Sequence, residues 1–385
     1  MIPKFARLHP VAIAFLLLST SQAAETLPEL PPLPGLPSWA VTVEAGFAAG
    51  YRDNLLLSPD NLDRSGLLRT ELDVFALKVP IGRLDGFAYL NASEMRFLSG
   101  EHTDSERAVI LFGEARWQAS LDFKASWAVQ AYRQKQVFDV SVTETELTTA
   151  LLEVTGFATG PGLRWTRRSF HLEAKALGRR DHYRGGIDGY DEGEGSLRAG
   201  WTGAGGAEFS AGILRRWRDH DTRTQFTPAG RPLTGTRLAM RQTEASAQWN
   251  QPLDPAKRAR LELAVSRQWN RDNGSGYFDF DRDQARASLR WAPGRWQAEA
   301  GATYARYEFP VQLVGLGINP EHRRKREAHL NARISRQVSE RLALFAAAEH
   351  ARARSNDERS RFTVNTVYAG VRLTWDSLSQ PPAPP

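Results

Sequence analysis

Two short stretches combine carboxylates with histidine and are the clearest candidates for acid/base chemistry. Asp181-His182 and Asp219-His220-Asp221 place carboxylates beside an imidazole, the groups that general acid/base hydrolysis uses. Both stretches fall near the ends of segments with strand periodicity, where adjacent residues point to opposite faces. A working pair must therefore come from two strands. A surface-exposed hydrolase is one hypothesis, and ordinary polar loops are the alternative.

Three aspartates with strand spacing are the candidate for a metal site. Asp279, Asp281 and Asp283 would share one strand face, and their oxygens suit Ca²⁺. A polar rim explains the same residues without a metal, and we favour that interpretation. The chain has no HExxH, no G-x-S-x-G and no phosphate-binding glycine loop. We therefore expect a protein that is not an enzyme, with no catalytic residue, no metal and no cofactor.

A larger set of arginines and glutamates recurs at alternate positions of otherwise apolar segments. An unpaired ion is costly in an apolar core, so the face that carries these charges must be wet, with the charges paired or solvated. Such pairs could simply stiffen the protein wall around that interior, or they could tune which ions pass through it. The glutamates argue against strong anion selectivity. We predict that a water-filled interior is lined by Glu44, Arg52, Arg116, Glu173, Arg198, Glu208, Arg216, Glu262, Arg286, Arg290, Glu299, Arg333 and Arg372.

The elements that must position these charges are β-strands. From Trp39 onward the dominant pattern has period two, and helical periodicity is nowhere sustained. In the first segment Val41, Val43 and Phe47 alternate with Thr42 and Glu44. The pattern predicts sixteen strands, at 39–52, 64–79, 82–98, 107–118, 123–137, 148–166, 169–183, 193–202, 207–218, 237–250, 258–271, 280–291, 296–309, 324–337, 341–354 and 361–375.

The connections between these strands alternate between short and long. The short ones include 80–81, 167–168 and 292–295, whereas 99–106 and 222–235 are longer. This alternation is typical of outer-membrane barrels, in which the short turns are periplasmic. About sixteen strands are enough to enclose a water-filled interior. We predict an all-β fold, a transmembrane antiparallel up-and-down β-barrel with short periplasmic turns and longer extracellular loops.

The tryptophans test this prediction independently. Nine of the eleven would lie at the periplasmic ends of strands. Indole rings favour the lipid headgroup interface, which is apolar on one side and wet on the other. The predicted lower aromatic girdle is Trp39, Trp117, Trp127, Trp165, Trp201, Trp249, Trp291, Trp296 and Trp375. The predicted upper girdle is Tyr51, Tyr183, Tyr304, Tyr307, Phe309 and Phe362.

The two ends of the chain differ from the body. Residues 1–23 have a basic start, an apolar core at 11–18 and small residues at Ser21 and Ala23, as expected of a secretory signal peptide. Residues 24–38 are predicted to be a proline-rich periplasmic linker, 39–375 the barrel and 376–385 a flexible C-terminal tail.

Composition narrows the classes further. With no cysteine, disulfides, thiolate metal sites and a lipoprotein anchor are excluded. After the signal no segment approaches about 18 consecutive apolar residues, which excludes a helical membrane protein but not strands that alternate. Without Lys4 and Arg7, 48 basic residues face 44 acidic ones, too balanced for nucleic-acid binding.

The first strand and its loop, GFAAGYRDNLLLSPDNLDRSGLLRTELDV, resemble outer-membrane β-barrels of the porin-2 type, which include barrels encoded with exopolysaccharide gene clusters. In that family the strand tends to end in a tyrosine followed shortly by Asp-Asn, here Tyr51, Asp53 and Asn54. The resemblance covers roughly residues 39–100 and is general barrel pattern beyond. It implies a bacterial outer-membrane location and transport or export, and it carries no catalytic residues.

The last strand, TVYAGVRLTW at 366–375, resembles the C-terminal signal that the barrel-assembly machinery recognises. That signal usually ends the chain on its aromatic residue, whereas here 376–385 follow Trp375. If the sheet closes, this strand must pair with the strand that begins at Trp39.

Three functional hypotheses follow. The leading one is a porin-like outer-membrane channel that passes polar or charged solutes through an Arg/Glu-lined lumen. The second is an outer-membrane export conduit for a secreted exopolysaccharide, and the third is the surface hydrolase described above. The expected partners are outer-membrane lipid, the barrel-assembly machinery and small polar solutes or polysaccharide, with a periplasmic partner or a homo-oligomer left open and no nucleic acid.

Overall fold

Sixteen long antiparallel strands form one closed sheet in which the last strand pairs with the first. The computed structural model describes residues 38–60, 62–142, 149–184, 187–315 and 319–377. The all-β up-and-down barrel predicted from the alternation is therefore confirmed. The predicted signal peptide, the linker up to residue 37 and the tail from 378 onward lie outside the described residues.

The observed strands follow the prediction closely, since every predicted strand is present. The largest difference is at β15, which was expected to end at 309 and continues to Val314. Two further strands, β10 and β11, form a small hairpin inside one loop. The strands are β1 (Trp39–Arg52), β2 (Ser65–Ile81), β3 (Leu84–Phe97), β4 (Ser105–Gln118), β5 (Phe123–Asp139), β6 (Thr149–Arg167), β7 (Phe170–Arg184), β8 (Tyr190–Thr202), β9 (Glu208–His220), β10 (Gln225–Phe226), β11 (Pro232–Leu233), β12 (Ala239–Pro252), β13 (Ala259–Asp272), β14 (Phe280–Trp291), β15 (Trp296–Val314), β16 (Glu321–Gln337), β17 (Leu342–Ser355) and β18 (Phe362–Asp376).

The outer surface of the barrel is an apolar belt. Phe47, Ile213, Val265, Leu330 and Val367 all point outward and are half-exposed. A continuous apolar surface around a closed sheet is stable only against lipid, because strands buried in a bilayer must satisfy every backbone group within the sheet. The barrel belongs in the bacterial outer membrane. Among the described residues, no helix is long and apolar enough to cross a membrane.

The seam between β1 and β18 closes the sheet. Its register runs from Thr42 opposite Asp376 to Arg52 opposite Thr366. The pairing continues past Trp375, since Ser377 N donates to Val41 O at 2.9 Å and Val41 N donates to Ser377 Oγ at 2.9 Å. The predicted closure is confirmed, and the paired region extends beyond the predicted end at 375.

Short connections lie at one end of the barrel and longer ones at the other. The turn before β9 contains a 3₁₀ turn (Ala204–Gly206), in which Gly205 and Gly206 have φ of 77° and 83°. This is the left-handed region, where glycine carries no steric penalty. The short turns are 82–83, 119–122, 168–169, 203–207, 253–258, 292–295 and 338–341. The other end carries the longer connections that follow β1, β3, β5, β7, β9, β13, β15 and β17.

The predicted upper girdle is only partly right. Tyr51 and Tyr304 are 42% and 48% exposed on the outer face. Tyr307 and Phe309, in contrast, are buried inside the barrel with Phe280, and Tyr183 and Phe362 line recesses of the interior. The reason is the strand period itself: Tyr304 and Tyr307 are three residues apart and must point to opposite faces.

Candidate functional site

One short segment leaves the wall and crosses the interior. At the end of β5, residues 139–142 reach β16, a strand separated from β5 by six strands in one direction and eight in the other. Lys325 on β16 contacts the Asp139 carboxylate and donates to Ser141 Oγ at 3.1 Å. Arg323 Nη1 donates to Ser141 O at 2.6 Å. Strands on nearly opposite sides of a barrel can meet only through its lumen, so we call 139–142 the cross-lumen segment.

The two cations that hold this segment are buried. The side chain of Lys325 is fully enclosed and also pairs with Glu327 at 2.7 Å. Arg323 donates to Gln312 Oε1 and to Ser360 Oγ, both at 2.9 Å, and its guanidinium carbon lies 4.7 Å from the centre of the Phe309 ring. Removing one partner of a buried ion pair typically costs about 3–5 kcal/mol, so the attachment is strong. We call Arg323 and Lys325 the β16 anchor.

Apolar contacts add to the attachment. Val142 packs against a buried cluster that Phe280, Ala305, Tyr307 and Phe309 form on β14 and β15. The rings of Tyr307 and Phe309 are stacked with centres 6.4 Å apart. Two of the aromatic residues expected in the upper girdle, Tyr307 and Phe309, therefore support the end of the cross-lumen segment.

The crossing leaves a recess on each side. The first has a volume of about 370 Å³ and is lined by Arg52, Arg69, Glu106, His329 and Glu349 among others. The second has a volume of about 400 Å³ and lies against β4 to β12. Gln136 and Val137 line the first recess, whereas Asp139 and Val140 line the second. The cross-lumen segment thus divides the lumen at the level of these two recesses.

The second recess combines tyrosines with charged groups. Tyr132 donates its hydroxyl proton to Asp181, and the Arg218 guanidinium carbon lies 4.1 Å from the centre of the Tyr190 ring. His220 is 4% exposed, and neither of its ring nitrogens has a hydrogen-bond partner. Such a surface can hold hydrogen-bonding solutes against aromatic faces.

The residues predicted for acid/base chemistry are divided between the two faces of the wall. Asp181 and His220 line the second recess. His182 is exposed on the outer face, and Asp221 is bound by both terminal nitrogens of Arg180, at 2.7 and 2.5 Å. This agrees with the expectation that adjacent residues of a strand cannot act together.

The three candidate calcium ligands are engaged with protein groups. Asp281 accepts from Arg271 Nη2 at 2.6 Å, and Asp283 lies 3.6 Å from Arg267 Nη1. Asp279 accepts from the Asp272 backbone N–H at 2.7 Å. Within the described ranges, no three His, Cys, Asp or Glu side chains are grouped so that they could hold a metal.

Six charged residues around the seam form a network that we call the seam cluster: Glu44, Arg69, Glu71, Arg333, Glu349 and Arg372. Arg372 pairs with Glu44 at 3.1 Å and Arg69 with Glu71 at 2.6 Å. Arg333 on β16 lies 3.7 Å from Glu71 on β2, and these strands are not neighbours. The contact passes through the interior, and three cations face three anions.

The other residues predicted to face inward occupy the positions that alternate with outward side chains. Arg52 pairs with Glu106 at 2.8 Å, and Arg116 with Glu114 at 2.9 Å. Other contacts at these positions are Glu173 to Lys175 at 2.7 Å, Arg216 to Glu194 at 2.6 Å and Arg290 to Glu299 at 3.2 Å.

The remaining inward positions are less tightly paired. Arg198, Glu262 and Arg286 line a common depression, and Glu262 accepts from Gln248 at 3.1 Å. Glu208 begins β9, opposite Thr202 of β8.

The tryptophans predicted for the lower girdle lie near the ends of strands that carry the short turns. Most are exposed, for example Trp127 at 53% and Trp201 at 52%. Trp165 is half-buried because its ring packs edge-on against Phe170, with centres 6.0 Å apart.

Sequence reasoning did not identify the cross-lumen segment or its β16 anchor. The run EHRRKREAHL shows only that basic residues crowd the start of β16. Strand alternation separates Arg323 and Lys325 from Arg324 and Arg326, but no local pattern shows that Asp139 is the partner of Lys325.

Comparison with known proteins gives a likeness of architecture. No family model and no curated protein matches the chain. Among similar solved structures, Acinetobacter baumannii OccAB1 shares 9% identity at a TM-score of 0.47, covering 89% of this chain and 97% of that one. Pseudomonas aeruginosa OccK1 (OpdK) shares 12% identity at a TM-score of 0.46, covering 87% and 99%. At this level of similarity nothing follows about a substrate.

Proposed function

We propose that the protein is a porin-like outer-membrane channel of the porin-2 type that passes polar or charged solutes through a lumen lined by arginine and glutamate. The observation that carries the proposal is the cross-lumen segment, which narrows a charged interior and leaves a recess on each side. A wide barrel with a constriction is suited to diffusion of small solutes. Its selectivity then depends on the groups that line the constriction.

The charge arrangement supports solutes of either sign. The seam cluster holds three arginines and three glutamates, and the adjoining wall from β3 to β7 repeats this balance with Arg116, Lys124 and Lys175 against Asp85, Glu114 and Glu173. Paired charges present both donors and acceptors to a passing solute without a strong field of one sign.

A second candidate function is export of an exopolysaccharide. The observation that favours it is the second recess, where Tyr132, Tyr183 and Tyr190 stand beside Asp181 and Arg218. Aromatic faces and charged hydrogen-bonding groups suit sugar rings. A conduit of this kind would be closed in isolation and would open with a periplasmic partner.

Single-channel recording in planar bilayers tests the leading proposal. The wild-type barrel is expected to give a steady open-state conductance. The double variant Arg323→Gln with Lys325→Met should give a larger conductance, because Asp139 and Ser141 lose their partners and the segment is released. The cost in unfolding free energy is about 3–5 kcal/mol for the loss of one buried partner.

Lys175→Met is the matched control. It also removes an inward lysine that is paired with glutamate, but Lys175 does not touch the cross-lumen segment. Its conductance should stay near that of the wild type. A folded wild-type barrel that is silent in bilayers would contradict the channel and favour the export conduit. An anchor variant with unchanged conductance would contradict the role of the segment.

A further inference from the structure

Five arginines gather on the outer face of β15, β16 and β17. Strand register places Arg306 directly opposite Arg326, and Arg326 directly opposite Arg354. Three guanidinium groups therefore lie at one level on adjacent strands. Arg324 and Arg352 extend the group along β16 and β17. We call Arg306, Arg324, Arg326, Arg352 and Arg354 the arginine patch; all five are exposed.

Four of the five arginines in the patch have no carboxylate partner among the described residues. Glu308 pairs with Arg306, but no carboxylate of the described residues lies within ion-pair distance of Arg324, Arg326, Arg352 or Arg354. Like charges directly opposite each other on neighbouring strands destabilise a sheet. An anion from outside the chain would reduce this repulsion by binding between the arginines.

Elsewhere on the same rim, several outward arginines are paired with carboxylates. Arg107 lies 2.9 Å from Glu94, and Arg133 Nε donates to Glu153 at 2.9 Å. On β13, Arg267 lies 3.6 Å from Asp283. The patch differs from these positions because its arginines lie directly opposite one another on three adjacent strands.

The height of the patch corresponds to a lipid headgroup layer. Arg306 is ten residues after Trp296, which begins β15 at the short-turn end. At about 3.4 Å per residue and a strand tilt of about 40°, that separation is about 26 Å along the barrel axis, close to the ~25 Å apolar band of outer-membrane barrels. Between the two levels the outer face carries Tyr304, Leu330 and Ile334, which are 46–50% exposed.

We propose that the arginine patch binds an outer-leaflet lipid whose head group carries more than one phosphate. Guanidinium groups donate paired hydrogen bonds to phosphate oxygens, and arginine holds them better than lysine because its donors form a planar fork. Three arginines on adjacent strands can share two phosphates, which offsets their mutual repulsion. The lipid chains then lie along the apolar surface directly below. This site is independent of the channel function.

Native mass spectrometry of the detergent-solubilised full chain tests the proposal. The probes are a glycolipid with two phosphates and the same glycolipid after dephosphorylation. The wild type should retain the phosphorylated lipid and not the dephosphorylated one. Arg306→Gln with Arg326→Gln and Arg354→Gln should weaken retention at least about tenfold, which corresponds to about 1.4 kcal/mol.

Arg107→Gln with Arg133→Gln and Arg267→Gln is the matched control, since it removes three outward arginines from paired positions. It should retain the lipid as the wild type does. Equal retention of the two lipids, or equal retention by the patch variant, would overturn the proposal. So would displacement of the lipid by inorganic phosphate at matched concentration, because the site would then prefer free phosphate. If the triple variant does not fold, Arg326→Gln alone must weaken retention severalfold.

Discussion

Individual charged side chains inside this barrel are stabilised mainly by one another. Lys325 can be fully enclosed because Asp139, Ser141 and Glu327 each offer an oxygen to its ammonium group. Arg69 and Arg333 add cation–π contacts, with guanidinium carbons 4.7 Å from the Tyr368 ring centre and 4.1 Å from the Phe345 ring centre. Each of these groups has several partners. If one partner is removed, the remaining buried polar groups lose an interaction but stay out of water, and their desolvation is no longer offset.

Asp188 is a residue-scale example in the loops. Its Oδ2 accepts from the backbone N–H groups of Thr222 at 2.8 Å and Arg223 at 2.9 Å, and its Oδ1 accepts from Thr222 Oγ1 at 2.9 Å. Burial raises the pKa of Asp188, but these hydrogen bonds outweigh burial, and the pKa lies below its ordinary value. A depressed folded-state pKa means that the stabilisation is present above about pH 3.9 and is lost as pH falls through the lower folded-state value.

Asp188→Ala is therefore expected to loosen the loop 221–238 at neutral pH, at a cost of about 1–3 kcal/mol of local stability. Hydrogen exchange of that loop is the measurement. Asp219→Ala is the control, because Asp219 is close in sequence but lies on the outer face of β9. In the wild type, the protection factor of that loop, which corrects for the pH dependence of intrinsic exchange, should fall only in strong acid. A loop that exchanges equally in both variants would contradict this role for Asp188.

At the scale of elements, the seam between β1 and β18 depends on small residues. Gly50 lies opposite Tyr368, and Gly370 lies opposite Ala48. A Cβ added at Gly370 would lie 2.0 Å from Phe47 O and 2.7 Å from Ala48 Cα, both backbone atoms of the opposing strand. The last strand can therefore close the sheet only if its inward position carries no side chain there.

Gly370→Ala is expected to reduce the fraction of closed barrel, because the added carbon would push β18 away from β1. A strain of about 1–3 kcal/mol is typical of such overpacking. Heat-dependent migration on gels, which separates closed from unfolded barrels, is the measurement. Gly193→Ala is the control, since no atom lies within 4 Å of a Cβ at that position on β8. Equal closure of the two variants would show that the seam tolerates the added atom.

At the scale of the whole molecule, the interior brings together opposite charges from strands that do not pair with each other in the sheet. Arg69 on β2 lies 3.6 Å from Glu349 on β17, and Lys175 on β7 lies 3.9 Å from Glu114 on β4. A lumen with balanced charge should discriminate weakly between small cations and anions.

The reversal potential in a salt gradient should accordingly be small for the wild type. Glu44→Gln with Glu71→Gln and Glu349→Gln leaves Arg69, Arg333 and Arg372 without their partners in the seam cluster, and should shift permeation toward anions. Glu94→Gln with Glu153→Gln and Glu308→Gln changes net charge equally on the outer face and should cause no shift. A wild type that strongly prefers one ion sign, or equal shifts in both variants, would refute the balanced lumen.

The sequence alone determined the number of strands, their approximate ends, their inward and outward faces and the closure of β18 on β1. These properties follow from period-two alternation, which is local and can be read strand by strand. The same local pattern placed Glu44, Arg116 and Arg372 on the face opposite the apolar belt. It could not assign their partners, because Arg333 and Glu71 lie on strands that come together only when the sheet closes.

Only the tertiary structure decided that 139–142 cross the lumen. The contact between Lys325 and Asp139 joins residues 186 positions apart, and neither residue differs by itself from an ordinary charge at a strand end. Tyr307 and Phe309, which were predicted as girdle residues, are a different case: alternation from Tyr304 already places them on the inner face, and only the tertiary structure shows that they support the crossing there. Alternation determines which face a side chain occupies, whereas what it meets there depends on the curvature of the whole sheet.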